Sequence, residues 1–258
     1  MTARHKGVAK LWLLNLFGNA ALIAAVYFWL LLPDAHGWQV GGSALLAIAV
    51  IFCGLWLRAG SFAYFRVAEF SNHATVWRAF RHASRHIVGL AIWAVLLAAL
   101  EWLLYSCLRY VPQFGVWFWQ KAPALRFGSP RIVSHVTACV IWIAMALLAA
   151  IWLPVASTVA AAGLKAGPMA RSWRLLRHIR YWLWFCVLAY FAVDLPYKLV
   201  WWIPDVNSLS AQAWSAGLRF ALAYALLISA WVALLLVIGD ALAKLDPLPI
   251  AASESATQ

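Results

Sequence analysis

Three ionisable residues stand inside long apolar runs, where a charge is costly and its presence needs a reason. Glu101 lies in LLAALEWLLY, Asp194 lies in AYFAVDLPYKL, and Lys198 follows Asp194 by four residues. On a helix that spacing puts the acid and the amine on one face, within ion-pairing reach. Two readings stay open. In the first the trio is structural: Asp194 pairs with Lys198, the amine snorkels outward, and Glu101 hydrogen-bonds inside a bundle. In the second, Glu101 and Asp194 line a polar path or cavity for a proton, a cation or a headgroup. Each acid lies about 20 Å from the start of its run at 1.5 Å per helical residue, so the two stand at similar height. Pro196 removes a backbone donor and frees a carbonyl near Ala192, which bends the helix beside the acid. His135, Ser134 and Thr137 open the fourth run on the outer side, where they either join that cavity or face water.

These residues are positioned by runs that read as membrane spans. The chain has 258 residues, of which 66% are hydrophobic and only 11% charged, and it carries 18 Trp. Its mean hydropathy is +0.83. A soluble domain is nearer half apolar and a quarter charged. A spanning helix needs roughly 20 mostly apolar residues. Six runs qualify, at about 11–32, 38–57, 87–108, 132–155, 181–203 and 217–239. In lipid only a helix satisfies the backbone of such a run, so the expected fold is all-α: a single polytopic domain over 1–246 with six transmembrane helices. The first run is too long for the apolar part of a signal peptide and lacks a small-residue cleavage site, and it reads as a retained helix. The tail 247–258, with two prolines and a polar end, reads as disordered.

The net charge is +12, and the basic residues cluster between the runs. Fourteen Lys and Arg fall on one side of the predicted bundle (the N-terminus, 58–86, 156–180 and the tail) and four on the other, all in 109–131. By the positive-inside rule both termini are cytoplasmic. The segment 109–131, RYVPQFGVWFWQKAPALRFGSPR, is too interrupted to span and belongs at the lipid–water boundary with its Trp and Phe rings. The charge therefore reads as topology and anionic-lipid attraction, and nucleic acid is not an expected partner.

Two of the basic segments share a pattern. ATVWRAFRH begins at Ala74 and ARSWRLLRH at Ala170, 96 residues later, and both read A-x-x-W-R-x-x-R-H. At that offset eight positions are identical between 56–82 and 152–178, including Trp56/Trp152, Ser61/Ser157 and Trp77/Trp173. This reads as a parallel duplication in which helices 2–3 and helices 4–5 are copies. Each segment should form an interfacial amphipathic helix. Trp77, Phe80, Ser84 and Ile87 fall on one face in the first copy. Trp173, Leu176, Arg180 and Leu183 do so in the second, where Arg180 fits poorly. The candidate contacts for lipid or a protein partner are Trp77, Arg78, Arg81, His82, Trp173, Arg174, Arg177 and His178. Ala221, Ala225, Ser229 and Ala233 place a small-residue stripe on the last run, for internal packing or a homo-oligomer.

The stretch LPVASTVAAAGLKAGPMARSWRLLRHIRYWLWFCVL resembles the signature of a broad prokaryotic group of six-helix membrane proteins. That group includes the membrane domain attached to some glycerophosphodiester phosphodiesterases, and stand-alone relatives. The matching positions are Pro154, Gly163, Gly167, Ser172, Trp173, Arg174, Leu175 and Trp182, and the likeness extends loosely over helices 2–5. It implies the six-helix fold and a bacterial inner membrane. It does not imply phosphodiesterase activity, because the catalytic barrel of those enzymes is a separate domain that this sequence lacks.

Other chemistry finds no support. There is no phosphate-binding Walker loop, G-x-S-x-G, H-E-x-x-H, paired C-x-x-C or Gly-rich dinucleotide turn. Cys53, Cys107, Cys139 and Cys186 sit in or beside apolar runs and read as small buried hydrophobes. No cofactor, metal or catalytic residue is expected. The function expected first is a non-enzymatic accessory or scaffold subunit binding anionic lipid or a partner. The alternative is a small transporter or lipid carrier with Glu101 and Asp194 along its path.

Overall fold

The computed structural model describes residues 3–32, 36–67, 70–71, 73, 75–121, 129–202, 204, 208–246 and 248. Among them the regular elements are all helical. They run α1 Ala3–Leu30, α2 Gly37–Arg66, α3 Val76–Ser84, α4 Ile87–Leu108, α5 Val111–Lys121, α6 Pro130–Ala162, a 3-10 turn Leu164–Ala166, α7 Pro168–Leu176, α8 Ile179–Ala189, a π turn Tyr190–Asp194, α9 Leu195–Trp201 and α10 Leu209–Leu245. Six segments are long and apolar enough to cross a membrane: Lys6–Leu30, Gly37–Arg66, Ile87–Leu108, Pro130–Ala162, Ile179–Trp201 and Leu209–Leu245. The expected all-α, six-span architecture is what the chain adopts.

The helices outrun the apolar runs that announced them. α2 continues past 57 to Arg66, α6 past 155 to Ala162, and α10 extends both ends of 217–239. Nothing in those extensions breaks a helix, and their polar residues find partners in the bundle. Trp12 Nε1 donates to Ser229 Oγ at 3.1 Å and Asn15 Nδ2 to Ser61 Oγ at 2.9 Å. Asn15 thus makes the interhelical bond that its place in an apolar run calls for. Tyr224 donates to the Leu16 carbonyl. Arg58 donates to Asn19 Oδ1 at 2.9 Å and lies over the Trp231 ring at 4.7 Å. Ser229, in the small-residue stripe of α10, is in this way used by α1.

Burial is uneven along the spans. The core is built from Leu57–Phe65 of α2, Leu153–Ala161 of α6 and the Ile228–Leu242 stretch of α10, with Ala79, Phe80 and Ala83 of α3 and Leu175 of α7. All of these lie toward the end of the bundle where α1 begins and α10 ends, called the base here. α10 is the central helix: 39% of its most apolar window is buried, against 6–11% for the other five spans. The far halves display Ile23, Phe28, Ile48, Phe52, Val95 and Ile143 outward, as a lipid-facing surface requires. All four cysteines are exposed. They were expected to be buried. They sit instead on outward faces of helices that are apolar all round, so the apolar run alone did not fix their direction.

At the base, α3 lies on α2 with the Phe80 ring over Gly60, where an added Cβ would stand 2.4 Å from the ring. Trp56 meets Phe80 edge-on at 4.9 Å and donates to Ser84 Oγ at 3.0 Å. At the opposite end α5 packs on the start of α6. The segment read as interrupted thus holds an 11-residue helix. Pro112 sits in its first turn, where a missing N–H costs nothing. Residues 122–128, including Arg126, lie outside the described residues, as does the tail except Leu248, which packs against the core.

Pro154 stands inside α6 and offers no N–H to the carbonyl of Ala150. The buried Tyr181 hydroxyl donates to that carbonyl at 2.5 Å, tying α8 to α6. Tyr181→Phe leaves a buried acceptor unpaired and is expected to cost about 1–3 kcal/mol, read by thermal unfolding in detergent. A cost within error of zero would mean that the bond is not made.

Candidate functional site

The base carries a charged node that joins three segments. The Arg66 side chain is fully buried; its NH2 donates to the Asp246 backbone carbonyl at 2.8 Å and lies 3.5 Å from the Asp246 carboxylate. Arg171 NH1 reaches the same carboxylate at 2.8 Å, and its Nε donates to the Ala166 carbonyl at 2.8 Å. Arg174 NH1 donates to the Leu245 carbonyl at 3.3 Å. The last turn of α10 is therefore clamped to the end of α2 and to α7. Two cations share one carboxylate, and Arg66 Nε and NH1 have no hydrogen-bond partner among the described residues. A crevice of about 250 Å³ opens beside the node between Gly167, Arg171, Arg174 and Asp246.

The eight residues singled out for lipid or partner contact divide into two groups. Trp77 is 62% and Trp173 53% exposed, and Arg78, Arg81, Arg177 and His178 are exposed too. Arg177 lies over the Trp173 ring at 5.8 Å. Arg174 is exposed but spends one N–H on the end of α10. His82 turns inward: its Nε2 donates to the Ala161 carbonyl at 2.7 Å and its ring stands 5.5 Å from that of His86. His82 is thus a strut between α3 and α6. Burial first, then the neighbouring His82 and Arg85, hold the His86 imidazole below its ordinary value.

The amphipathic faces are rotated from those expected. The buried residues are Ala79, Phe80 and Ala83 in α3, and Pro168, Ser172 and Leu175 in α7. The spacing puts Trp77 and Trp173 on the apolar face, with the rings toward lipid or toward the bundle. The buried faces combine Phe80 and Leu175 with small neighbours, and the two tryptophan rings are left exposed, where they suit a headgroup layer. The 96-residue register also ends with the basic motif. α4 starts at Ile87 after N-cap His86 and α8 at Ile179 after N-cap His178, 92 residues apart. The motif occupies the first turns of α3 and the last turns of α7.

Asp194 and Lys198 form the expected pair at 2.6 Å. The strain of Pro196 is taken up as a π turn over Tyr190–Asp194, with the Leu195 N–H reaching the Tyr190 carbonyl, so the ladder widens just ahead of the proline. Glu101 is not brought to this pair. α4 packs chiefly on α6 and also on α2, whereas the fifth span packs on α10. No hydrogen bond or ion pair links Glu101 with Asp194 among the described residues. Ser134 and Thr137 bond back to the Pro130 and Val133 carbonyls of their own helix, and His135 is exposed. No three His, Cys, Asp or Glu among the described residues are grouped to hold a metal ion.

Arg66, Arg171 and Asp246 occupy none of the motif positions that mark the sequence. The available signal was an arginine continuing the α2 pattern at the edge of a run and an acid directly after the last apolar turn. Compared with protein families, curated proteins and solved structures, the chain matches none.

Proposed function

We propose that this integral membrane protein is a non-enzymatic accessory or scaffold subunit whose base engages anionic lipid headgroups. The observation that carries this reading is the surface of α3 and α7. There Trp77, Arg78, Arg81, Trp173 and Arg174 stand exposed on two short helices, with Arg177 exposed directly after the second, while Phe80 and Leu175 with their small neighbours face the bundle. Rings at the boundary and guanidinium groups toward phosphate form a familiar membrane-surface arrangement. Each such cation contributes about 1 kcal/mol near an anionic leaflet. The same proposal puts the base on the cytoplasmic side of a bacterial inner membrane, following the lysine and arginine count. It also includes the parallel duplication and the kinship with the six-helix group named above. A protein partner is a further occupant of this surface in the same reading.

The test is thermal unfolding in nanodiscs of phosphatidylcholine alone and of phosphatidylcholine mixed with phosphatidylglycerol. The wild type should melt several degrees higher in the anionic disc. A variant with Arg78, Arg81, Arg174 and Arg177 all changed to Gln should lose most of that gain. An equal gain in both proteins sinks the proposal.

A further inference from the structure

A second crevice, of about 460 Å³, opens at the base between the start of α8 and the end of α10. Its rim carries His178, Arg180, Lys244 and Asp240, and its wall is made by Tyr181, Trp184, Val237 and Ala241. Arg180 is the residue that broke the apolar pattern of the second basic segment, and its position is explained by this crevice. We infer that the crevice holds one anionic glycerophospholipid, with its phosphate against Arg180 and Lys244 and its acyl chains along Trp184 and Val237. This inference rests on the proposed anionic-lipid function of the base and assigns it a discrete site.

Four observations carry it. Arg180, Lys244 and His178 have no ion pair or hydrogen bond to a side chain among the described residues, unlike Arg66 and Arg171. Asp240 has an interaction of its own. Arg180 and Lys244 are two permanent cations on this rim, and both are exposed for a phosphodiester to meet. The lining is amphipathic in the order a lipid needs, with charge at the rim and apolar side chains on the wall, and its volume is in the range of built ligand sites. The crevice lies where Ile179 begins a span, and Trp184 is 52% exposed along its flank. A free inorganic anion would use the rim and leave the apolar wall uncovered, so the lipid is the occupant that fits.

Native mass spectrometry of the full chain released from nanodiscs of phosphatidylglycerol and phosphatidylcholine tests this. The wild type should keep one copy of phosphatidylglycerol at activation energies that strip all other lipid. The double variant Arg180→Gln, Lys244→Gln should hold that copy about thirtyfold more weakly. Ala241→Trp, which fills the wall and leaves the charges in place, should also lose it. The quadruple Arg→Gln variant of α3 and α7 should shed the weakly held lipids and keep the tight one. Retention of the tight copy by both crevice variants overturns the site, while loss of the weak lipids in the quadruple variant would still support the wider proposal. Unchanged adducts in every variant overturn both. Stabilisation of delipidated protein by inorganic phosphate to the same extent as by phosphatidylglycerol would overturn the lipid assignment in favour of an ion site.

Discussion

Replacing Asp246 with alanine should cost about 3–5 kcal/mol of stability, because it strands a buried arginine. Arg66 is 1% exposed, and Asp246 is its one acidic partner among the described residues. Removing the carboxylate also frees Arg171, but Arg171 is a third exposed and can turn to water. Arg66 cannot. The cost therefore falls mainly on the buried partner left behind, and it should shrink when that partner is removed as well. The double variant Arg66→Met, Asp246→Ala should be more stable than Asp246→Ala alone. Chemical or thermal unfolding of the four proteins of this cycle in one detergent provides the check. Additive costs would mean that the two residues are not coupled and that the node does not hold the end of α10. Loosening of that end should be visible as increased hydrogen exchange over the last turns of α10 and over α7, with the far halves of the spans unaffected.

Gly239→Ala should be strongly destabilising. An added Cβ there would stand 2.5 Å from the Phe65 carbonyl oxygen and 2.6 Å from the Phe65 Cβ. Both are tied to the backbone of α2, so no side chain can rotate away and the central helix must shift. Overpacking of this kind costs about 1–3 kcal/mol, and a backbone neighbour puts the expectation at the upper end. Gly217 of the same helix has open space at the corresponding point, and Gly217→Ala should be neutral or slightly stabilising through helix propensity. Comparing the melting temperatures of the two variants separates close packing from propensity. Similar small shifts in both would show that α2 and α10 do not approach each other as closely as described.

The legibility of this protein differs by level. Length and hydropathy of the runs determined that six helices span and where each lies, because in lipid the backbone has no other way to be satisfied. Asn15 and the Asp194–Lys198 pair were also readable, since a polar group in an apolar run must find a partner nearby. What could not be read was direction. Helices such as α4 are apolar on every side, so nothing in the sequence tells the core side from the lipid side, and the four cysteines were turned the wrong way. The amphipathic helices misled for the opposite reason. Trp77 and Trp173 are large and aromatic, yet Ala79, Phe80 and Ala83, and Ser172 and Leu175, hold the buried positions and the tryptophans stay exposed. Glu101 and Asp194 share a height, and height is all that helix length gives; which helices pack together is a tertiary fact that keeps them apart. The charged node was least visible of all. Arg66, Arg171 and Asp246 are separated by 105 and 75 residues, so a charge at the edge of a run can be seen locally, but not that the three meet when α10 closes against α2 and α7.

The most direct test of the central claim is the lipid composition carried by the protein when it is cut from its own membrane in a polymer-bounded patch. The account predicts that anionic phospholipid is enriched around the wild type relative to the bulk membrane. It further predicts that the enrichment falls toward the bulk value when Arg78, Arg81, Arg174 and Arg177 are changed to Gln, while Glu101→Gln and Asp194→Asn leave it unchanged. A patch around the wild type with the bulk composition would contradict it. So would an enrichment that depends on Glu101 and Asp194 and not on the arginines, which would move the function from the base to the spans.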